Sequence, residues 1–445
     1  MSVAGMGTAA GQARPAGRLP RLIAPDGPLE LAEHIDRYGP VPFRDALADF
    51  GDGSLISEVE AADLRGRGGA GFPAGRKMRA VARAGRRAGP LRSPVGTAVI
   101  ANGAESEPAS IKDRTLLARA PHLVLDGIAL ASEAVGASRA YLCVHDSDDQ
   151  LTGTLSAAIS ARDRAGMNRV PIQLLTIGGS YVASQETALI SMINGGGGKP
   201  AFVPPRPSDK GVRGRPTLVQ NVETLAHLAL IARYGAEWFG ALGAGAGSAL
   251  VTVGGTVHRP GVYEIAVGTP VGELLRQAGG PTEAPQAILA GGYFGGWIRY
   301  SDALDVPVSD PALRAAGASL GPGIVMLVPA SACGLAETAR VVGYLAEQSA
   351  GQCGPCFNGL PALADAFWQL AFGRADRATH GWASQLLTLV AGRGACHLPD
   401  GTAALAASAL RVFGDELYQH AAAGPCPRVR RPGVLPVPGY PGGRA

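Results

Sequence analysis

Over the first half of the chain, short apolar runs alternate with longer amphipathic stretches. Runs at 98–101, 140–144 and 172–177 have the length of buried strands, and 121–136, with Leu123, Leu125, Ile128 and Ala131 on related faces, reads as a helix. Such alternation predicts an α/β layer, with ligands bound beyond the carboxyl ends of the strands. From about Gly247 the pattern changes to strand, turn and strand over 249–255 and 258–265, followed by a short helix at 271–278. Beyond Leu335 apolar residues recur at three- and four-residue spacing over 338–347, 360–371, 382–390 and 402–421, which predicts a small helical bundle. The expected fold class is multidomain α/β: a Rossmann-like α/β domain at 21–240, a small β domain at 247–330 and a helical domain at 335–423. Residues 1–20 and 424–445 mix Gly, Ala, Pro and Arg without periodicity and read as disordered ends.

Composition narrows the function classes. With 445 residues, 46% of them hydrophobic, the chain is globular and long enough for two or three domains. The stretches poorest in charge, around 238–257 and 315–336, are broken by Gly or Pro, and the N-terminus lacks a signal-peptide core, so a soluble cytoplasmic protein without a transmembrane helix is expected. A net charge of +4 is mild, but Arg76, Lys77, Arg79, Arg83, Arg86, Arg87 and Arg92 lie close together. They read as a solvated helix face, or as a rim that attracts a phosphate-bearing ligand or an acidic protein. Nucleic acid is disfavoured, because aromatic residues are only 5% of the chain and none interleave with these cations.

The densest chemical signal is the run from Leu64 to Lys77, which sets Gly66, Gly68, Gly69 and Gly71 among Arg65, Arg67, Arg76 and Lys77. Glycines allow positive φ and close backbone approach, and exposed N–H groups with neighbouring cations suit an anion. Gly66-x-Gly68-x-x-Gly71 also fits the dinucleotide fingerprint, although no strand-like run immediately precedes it. Cys353-Gly354-Pro355-Cys356, with Cys396 about forty residues on, is a second signal. Six cysteines in a cytoplasmic chain do not form a disulfide framework; this spacing suits an iron–sulfur or zinc centre, with a thioredoxin-like pair as the rival.

Four motifs in order carry a family resemblance over about residues 25–420: the 64–77 run, Asn102-Gly103-Ala104-Glu105-Ser106-Glu107-Pro108-Ala109-Ser110-Ile111-Lys112-Asp113-Arg114, Tyr181-Val182-Ala183-Ser184-Gln185-Glu186-Thr187-Ala188-Leu189, and Pro216-Thr217-Leu218-Val219-Gln220-Asn221-Val222-Glu223-Thr224. Together with the cysteines, they resemble the flavin-bearing NADH-oxidising subunit of respiratory complex I and of NAD-linked hydrogenases and formate dehydrogenases. The resemblance implies FMN held by Arg65, Gly66, Gly68, Lys77, Asn102, Glu105, Tyr181, Asn221 and Thr224, and NAD(P)H met by Phe72, Glu107, Glu186 and Arg206. It implies a β-grasp soluble-ligand-binding domain in the middle of the chain, and a cluster in the helical domain held by Cys353, Cys356 and Cys396. It also implies single electrons passed to a ferredoxin-like or thioredoxin-like [2Fe–2S] partner within a larger redox complex. No acid–base pair or nucleophile is required, because the cofactor carries the chemistry.

Departures from the pattern matter. Ala350 stands where the family places the first cluster cysteine, which leaves three outcomes: a non-cysteine or solvent ligand completes a [4Fe–4S] cluster, the site holds [3Fe–4S], or no cluster is held. Ser349, His397 and Cys333 are the candidate substitutes. Cys143 reads as a small buried hydrophobe, and Cys426 is assigned no role. Ala104 and Ser184-Gln185 alter the flavin side. Ala80 and Arg206 replace the aromatics that sandwich adenine, and Val203 replaces a lysine, so NADH binding is weakened and Arg206 is available to a 2′-phosphate of NADPH. The alternative is a family member that no longer oxidises a pyridine nucleotide and acts as an FMN/Fe–S relay or as a structural binding module.

Overall fold

A computed structural model describes residues 19–23, 27–43, 54–87, 96–146, 148–178, 180–373 and 375–439. Most of the expected N-terminal disordered segment, residues 440–445 of the expected tail, and Arg92 lie outside the described residues.

Four strands, β1 (Thr97–Gly103), β2 (Ala137–His145), β3 (Ile172–Ile177) and β4 (Thr217–Asn221), form an all-parallel sheet in the order β3-β2-β1-β4. The three apolar runs read from sequence lie within β1, β2 and β3. The fourth strand was hidden in the Pro216–Thr224 motif, whose Thr-Leu-Val-Gln-Asn is buried throughout. The chain leaves β1 towards β2 and returns from β3 to the other side of β1, so the topology switches between β1 and β4. An open crevice forms at the carboxyl ends of strands at such a point. The register puts Asn102 opposite Asn221 there.

Helices Pro121–Val135 and Val222–Gly240 pack together beside β1. Proline sits in the first turn of the former, and Gly136, at φ 66°, closes it in the left-handed region. Gly127 lies at the crossing, and a Cβ there would overlap the Leu225 backbone carbonyl, so the two axes approach as closely as backbone permits. The latter helix is capped by Asn221, whose side chain accepts from Glu223 N–H at 3.0 Å.

The second sheet is mixed, with β5 (Ser248–Gly255), β6 (Gly261–Ala266), β7 (Pro285–Ala290), β8 (Gly296–Arg299) and β9 (Ile324–Pro329) in the order β6-β5-β9-β7-β8. Only the β5–β9 pair is parallel. Helix Val271–Gln277 buries Leu274 and Leu275 with Val251, Val253, Ile288 and Leu327, giving the β-grasp arrangement that the resemblance implies.

The helical region comprises Gly334–Glu347, Leu360–Phe372, Arg377–Val390, Leu398–Val412 and Gly414–Ala423. The single helix expected over 402–421 is two, broken at Phe413, which turns into the core against Trp297 with ring centroids 5.1 Å apart. The expected disordered tail also needs correction, since Leu435 and Val437 are buried. Glu337 accepts the N–H groups of Val434 and Leu435, each at 3.0 Å, and Arg340 donates to Val429 and Arg431 carbonyls. Prolines hide any periodicity in this strap, but its two apolar side chains and a buried ion pair fix it.

Gly127→Ala tests the helix crossing. Intrinsic propensity alone favours alanine by about 1 kcal/mol, whereas overpacking costs about 1–3 kcal/mol. The substitution is expected to lower the denaturant midpoint followed by circular dichroism; a raised midpoint contradicts the close crossing.

Candidate functional site

The glycine run forms a closed loop between helices Leu55–Ala61 and Ala74–Arg87. Gly66 N–H donates to Phe72 C=O at 3.0 Å and Ala74 N–H to Leu64 C=O at 2.8 Å. Gly69 and Gly71, at φ 109° and 62°, turn the tip. Among the described hydrogen bonds, none uses the N–H groups of Gly68, Gly69, Ala70 or Gly71. The base of the loop is pinned by buried Arg67, whose N–H donates to Thr224 Oγ1 at 2.9 Å and whose guanidinium donates to the Ala246 and Ser248 carbonyls. A Cβ on Gly68 would stand 3.2 Å from Asn221 Cβ, so the loop lies directly over the β1–β4 crevice.

A connected set of polar side chains lines that crevice. Asn221 Nδ2 donates to Asp113 Oδ2 at 2.6 Å and to Asn102 C=O at 3.3 Å, and Asn102 Nδ2 donates to Ser184 C=O at 2.9 Å. Ser184 and Ser106 share a hydrogen bond, and Ser106 Oγ donates to Tyr181 C=O. The Tyr181 hydroxyl then donates to Glu107 Oε2 at 2.6 Å. Glu105 accepts from Ser110 and from the N–H groups of Asp113 and Arg114 at the start of helix Lys112–Arg119. Six of the residues implied for flavin or nucleotide (Asn102, Glu105, Glu107, Tyr181, Asn221 and Thr224) thus meet in one region, with Gly66 and Gly68 above them.

Electrostatics divide the acids. Burial pushes the Glu107 carboxyl up to about 7, against the lowering hydrogen bonds from Tyr181 and Tyr293. Burial, reinforced by Asp113, does the same to Glu105, up to about 7. Glu223 is also desolvated, but Lys112 at 2.8 Å, His227 and Arg67 hold it down at about 2. Sequence reasoning missed Arg67, Lys112, Asp113 and Glu223 as the groups that position the crevice; charged residues inside three of the four motifs were the available signal.

Other expected residues lie apart from this set. Lys77 is ion-paired with Glu186, so a phosphate and a nucleotide would each compete with an internal partner. Arg65 turns outward to Asp63 at 2.9 Å and lends nothing to the crevice in this arrangement. Phe72, 47% exposed, and Arg206 stand on the surface.

Cys356 lies in the π-turn Pro355–Gly359, and Cys353 one turn earlier. The Cys353 and Cys356 thiols lie beside each other, and Cys396 lies beside the Gln185 side chain. Burial works to raise the Cys353 thiol, but hydrogen bonds from the Ala395 and Cys356 backbones and the Cys356 side chain bring it below its ordinary value. Ala350 is buried in the same apolar cluster as Cys356. Cys333 is not a substitute at the Ala350 position. Cys333 precedes helix Gly334–Glu347 and Ala350 follows it, and fourteen helical residues span about 21 Å. His397 is exposed, and Cys143 is buried in β2 as expected.

The donor sets suit the implied groups. Free loop amides, positive-φ glycines and Lys77 fit a phosphate, and paired asparagine amides fit the polar edge of a flavin. Three neighbouring thiols fit three irons of a cluster. Tyr181 N–H donates to Gln348 Oε1 at 2.9 Å, which joins the crevice to the chain just before Ala350.

Family models match in the same order along the chain: the Nuo51 FMN-binding domain over 59–230, the SLBB domain over 250–293, and the NADH-ubiquinone oxidoreductase-F iron–sulfur binding region over 330–420. The F 2 subunit of the NADH-quinone oxidoreductase of Rhizobium meliloti (strain 1021) is 30% identical over 425 residues, covering 92% of this chain and 98% of that one. The corresponding F subunit of Streptomyces coelicolor is 30% identical, covering 86% of each chain. A crystal structure of an NAD+-reducing [NiFe]-hydrogenase in the H2-reduced state superposes with a TM-score of 0.76 at 29% identity, over 89% of this chain and 66% of the hydrogenase chain. This protein spans slightly less than two thirds of that hydrogenase chain. It therefore belongs to the family of NADH-quinone oxidoreductase F subunits, with that family's FMN-binding domain and iron–sulfur region.

Proposed function

We propose that the chain oxidises NADH or NADPH at FMN and passes single electrons through an iron–sulfur centre to a separate ferredoxin-like or thioredoxin-like [2Fe–2S] protein, in a cytoplasmic redox complex. Residues 21–240 serve as the flavin and nucleotide domain, 247–330 as a β-grasp scaffold and 335–423 as the cluster domain. The observation that carries this reading is the junction at Tyr181. Its side chain closes the crevice through Glu107, its N–H is bonded to Gln348, and Tyr181 shares an apolar core with Ala350 and Cys356. A flavin site and a cysteine site built on one core suit short-range electron transfer.

FMN, when bound, supplies the change from two-electron to one-electron chemistry. The protein's own residues do the positioning. The Gly68–Gly71 amides and Lys77 receive phosphate, Lys77 exchanging Glu186 for it. Asn102 and Asn221 fix the ring edge, and Arg67 holds the loop over them. Glu107, close to half-protonated near neutral pH, holds or releases a proton at its carboxyl, whose Oε2 accepts from the Tyr181 hydroxyl. Arg206 is exposed and free of the crevice, which supports pairing with a 2′-phosphate. No described hydrogen bond ties it to the Asn102–Asn221 set. The relay alternative is supported by Ala350, which stands where the resemblance implies the first cluster cysteine and is buried in the apolar cluster that holds Cys356.

Purified protein is expected to take up FMN, and NADH or NADPH is expected to bleach the bound flavin. Gly68→Val sets branched carbons against Asn221 and should abolish uptake. Absorbance at the flavin band after gel filtration reads both, and FMN retention by the variant contradicts the loop assignment.

Ala350→Cys is expected to supply the missing thiolate and to slow cluster loss in air by roughly tenfold or more, as substitutions around metal sites commonly do. Iron and sulfide content against time after air exposure decides it; an unchanged decay contradicts the placement of Ala350 at the cluster.

Glu107 also sets a pH dependence. Its folded-state value is raised from 4.5 to about 7, so the native state binds the proton more tightly than the unfolded chain. The associated stability is fully present below about 4.5 and is lost as pH rises through about 7. Glu107→Gln should flatten the fall in Tm between pH 5 and 8, leaving the share due to Glu105. Parallel Tm profiles for the two proteins contradict the buried, proton-holding carboxyl.

A further inference from the structure

We propose a second, N/S-ligated metal site in the helical region, formed by Cys333, His420 and Cys426 and separate from the cluster cysteines, that takes a borderline-soft divalent ion of the zinc type. Among the described residues, this is the set of three or more such groups whose ligand atoms all lie within 4.8 Å of one another. Cys333 Sγ and His420 Nε2 are 3.8 Å apart. Tetrahedral zinc, with Zn–S near 2.3 Å and Zn–N near 2.0 Å, sets its ligand atoms about 3.5–3.8 Å apart.

A second observation shows that the imidazole is built for this role. His420 is buried, and its Nδ1 lies 3.0 Å from Leu370 C=O. A carbonyl only accepts, so Nδ1 carries the proton and the Nε2 lone pair faces the two sulfurs. Metal-bound histidines are oriented by this same second hydrogen bond. Both cysteines are free thiols, with Cys333 buried and Cys426 half-buried. Glu416 Oε2 lies 3.3 Å from Cys333 Sγ, where it is placed to take the thiol proton that metal binding displaces. Its other oxygen meets Arg428 at 3.3 Å. Two thiolates and a neutral imidazole leave a divalent ion without net charge, which suits a buried place. Cys333, His420 and Cys426 come from the start of helix Gly334–Glu347, the helix Gly414–Ala423 and the head of the C-terminal strap. An ion here would staple that strap onto the cluster domain.

Metal analysis of the full-length protein, purified anaerobically and reconstituted with zinc, tests the site. One zinc per chain is expected beside the iron. Cys426→Ser with His420→Gln should lose the zinc and keep the iron, while Cys353→Ser with Cys356→Ser should lose iron and keep the zinc. Cobalt(II) in place of zinc in the wild-type protein should give thiolate charge-transfer absorption, a readout that needs no variant to fold. Zinc that is absent, that leaves with the Cys353/Cys356 variant, or that is replaced by a Cys333–Cys426 disulfide in the mass spectrum of the purified protein overturns the proposal.

Discussion

The flavin side of this molecule depends on a buried knot of charge around Glu223. One carboxylate oxygen takes Lys112 at 2.8 Å; the other takes Leu250 N–H at 2.9 Å and faces Arg67 at 3.9 Å. Lys112 in turn holds Asp113, which holds Asn221. Three motifs and strand β5 of the second sheet are thereby locked to one point beneath the crevice. Removing one partner of such a group strands its mate without solvent and typically costs about 3–5 kcal/mol. The knot brings little net stability relative to an apolar core. What it supplies is placement, since it sets Asn221 in the crevice and the glycine loop over it.

A second coupling follows from the Tyr181 turn. The crevice network ends at its hydroxyl, and the cysteine core begins at its backbone. Gln185, in the same motif, lies beside Cys396. The flavin and cluster regions therefore share side chains as well as a boundary.

The parallel layer was legible because its first two strands carry uninterrupted apolar runs and its third an apolar run broken only at Gln173 and Thr176, and the glycine loop because small residues among cations have few other uses. β4 was not read as a strand, since its five buried residues end in Asn221 and Gln220, whose polarity looked like a site rather than a ladder. Both readings are true of that segment. The Arg67 anchor escaped notice because a buried arginine within a glycine loop looks, in sequence, like one more phosphate ligand. The C-terminal strap and Cys426 were lost for the opposite reason. Proline removes periodicity, and contacts with residues about ninety positions away leave no local trace. Pairings such as Lys77 with Glu186 and Cys333 with His420 are likewise products of tertiary geometry, which residue spacing along the chain does not encode.

The most direct measurement is freeze-quench electron paramagnetic resonance of the anaerobic, FMN-loaded protein after mixing with NADH or NADPH, followed alongside flavin absorbance. If the Tyr181 junction joins the two redox sites, a reduced iron–sulfur signal should grow in as the flavin is bleached, without any added mediator. A flavin that bleaches while the cluster stays oxidised, or a cluster that only dithionite reduces, contradicts that connection.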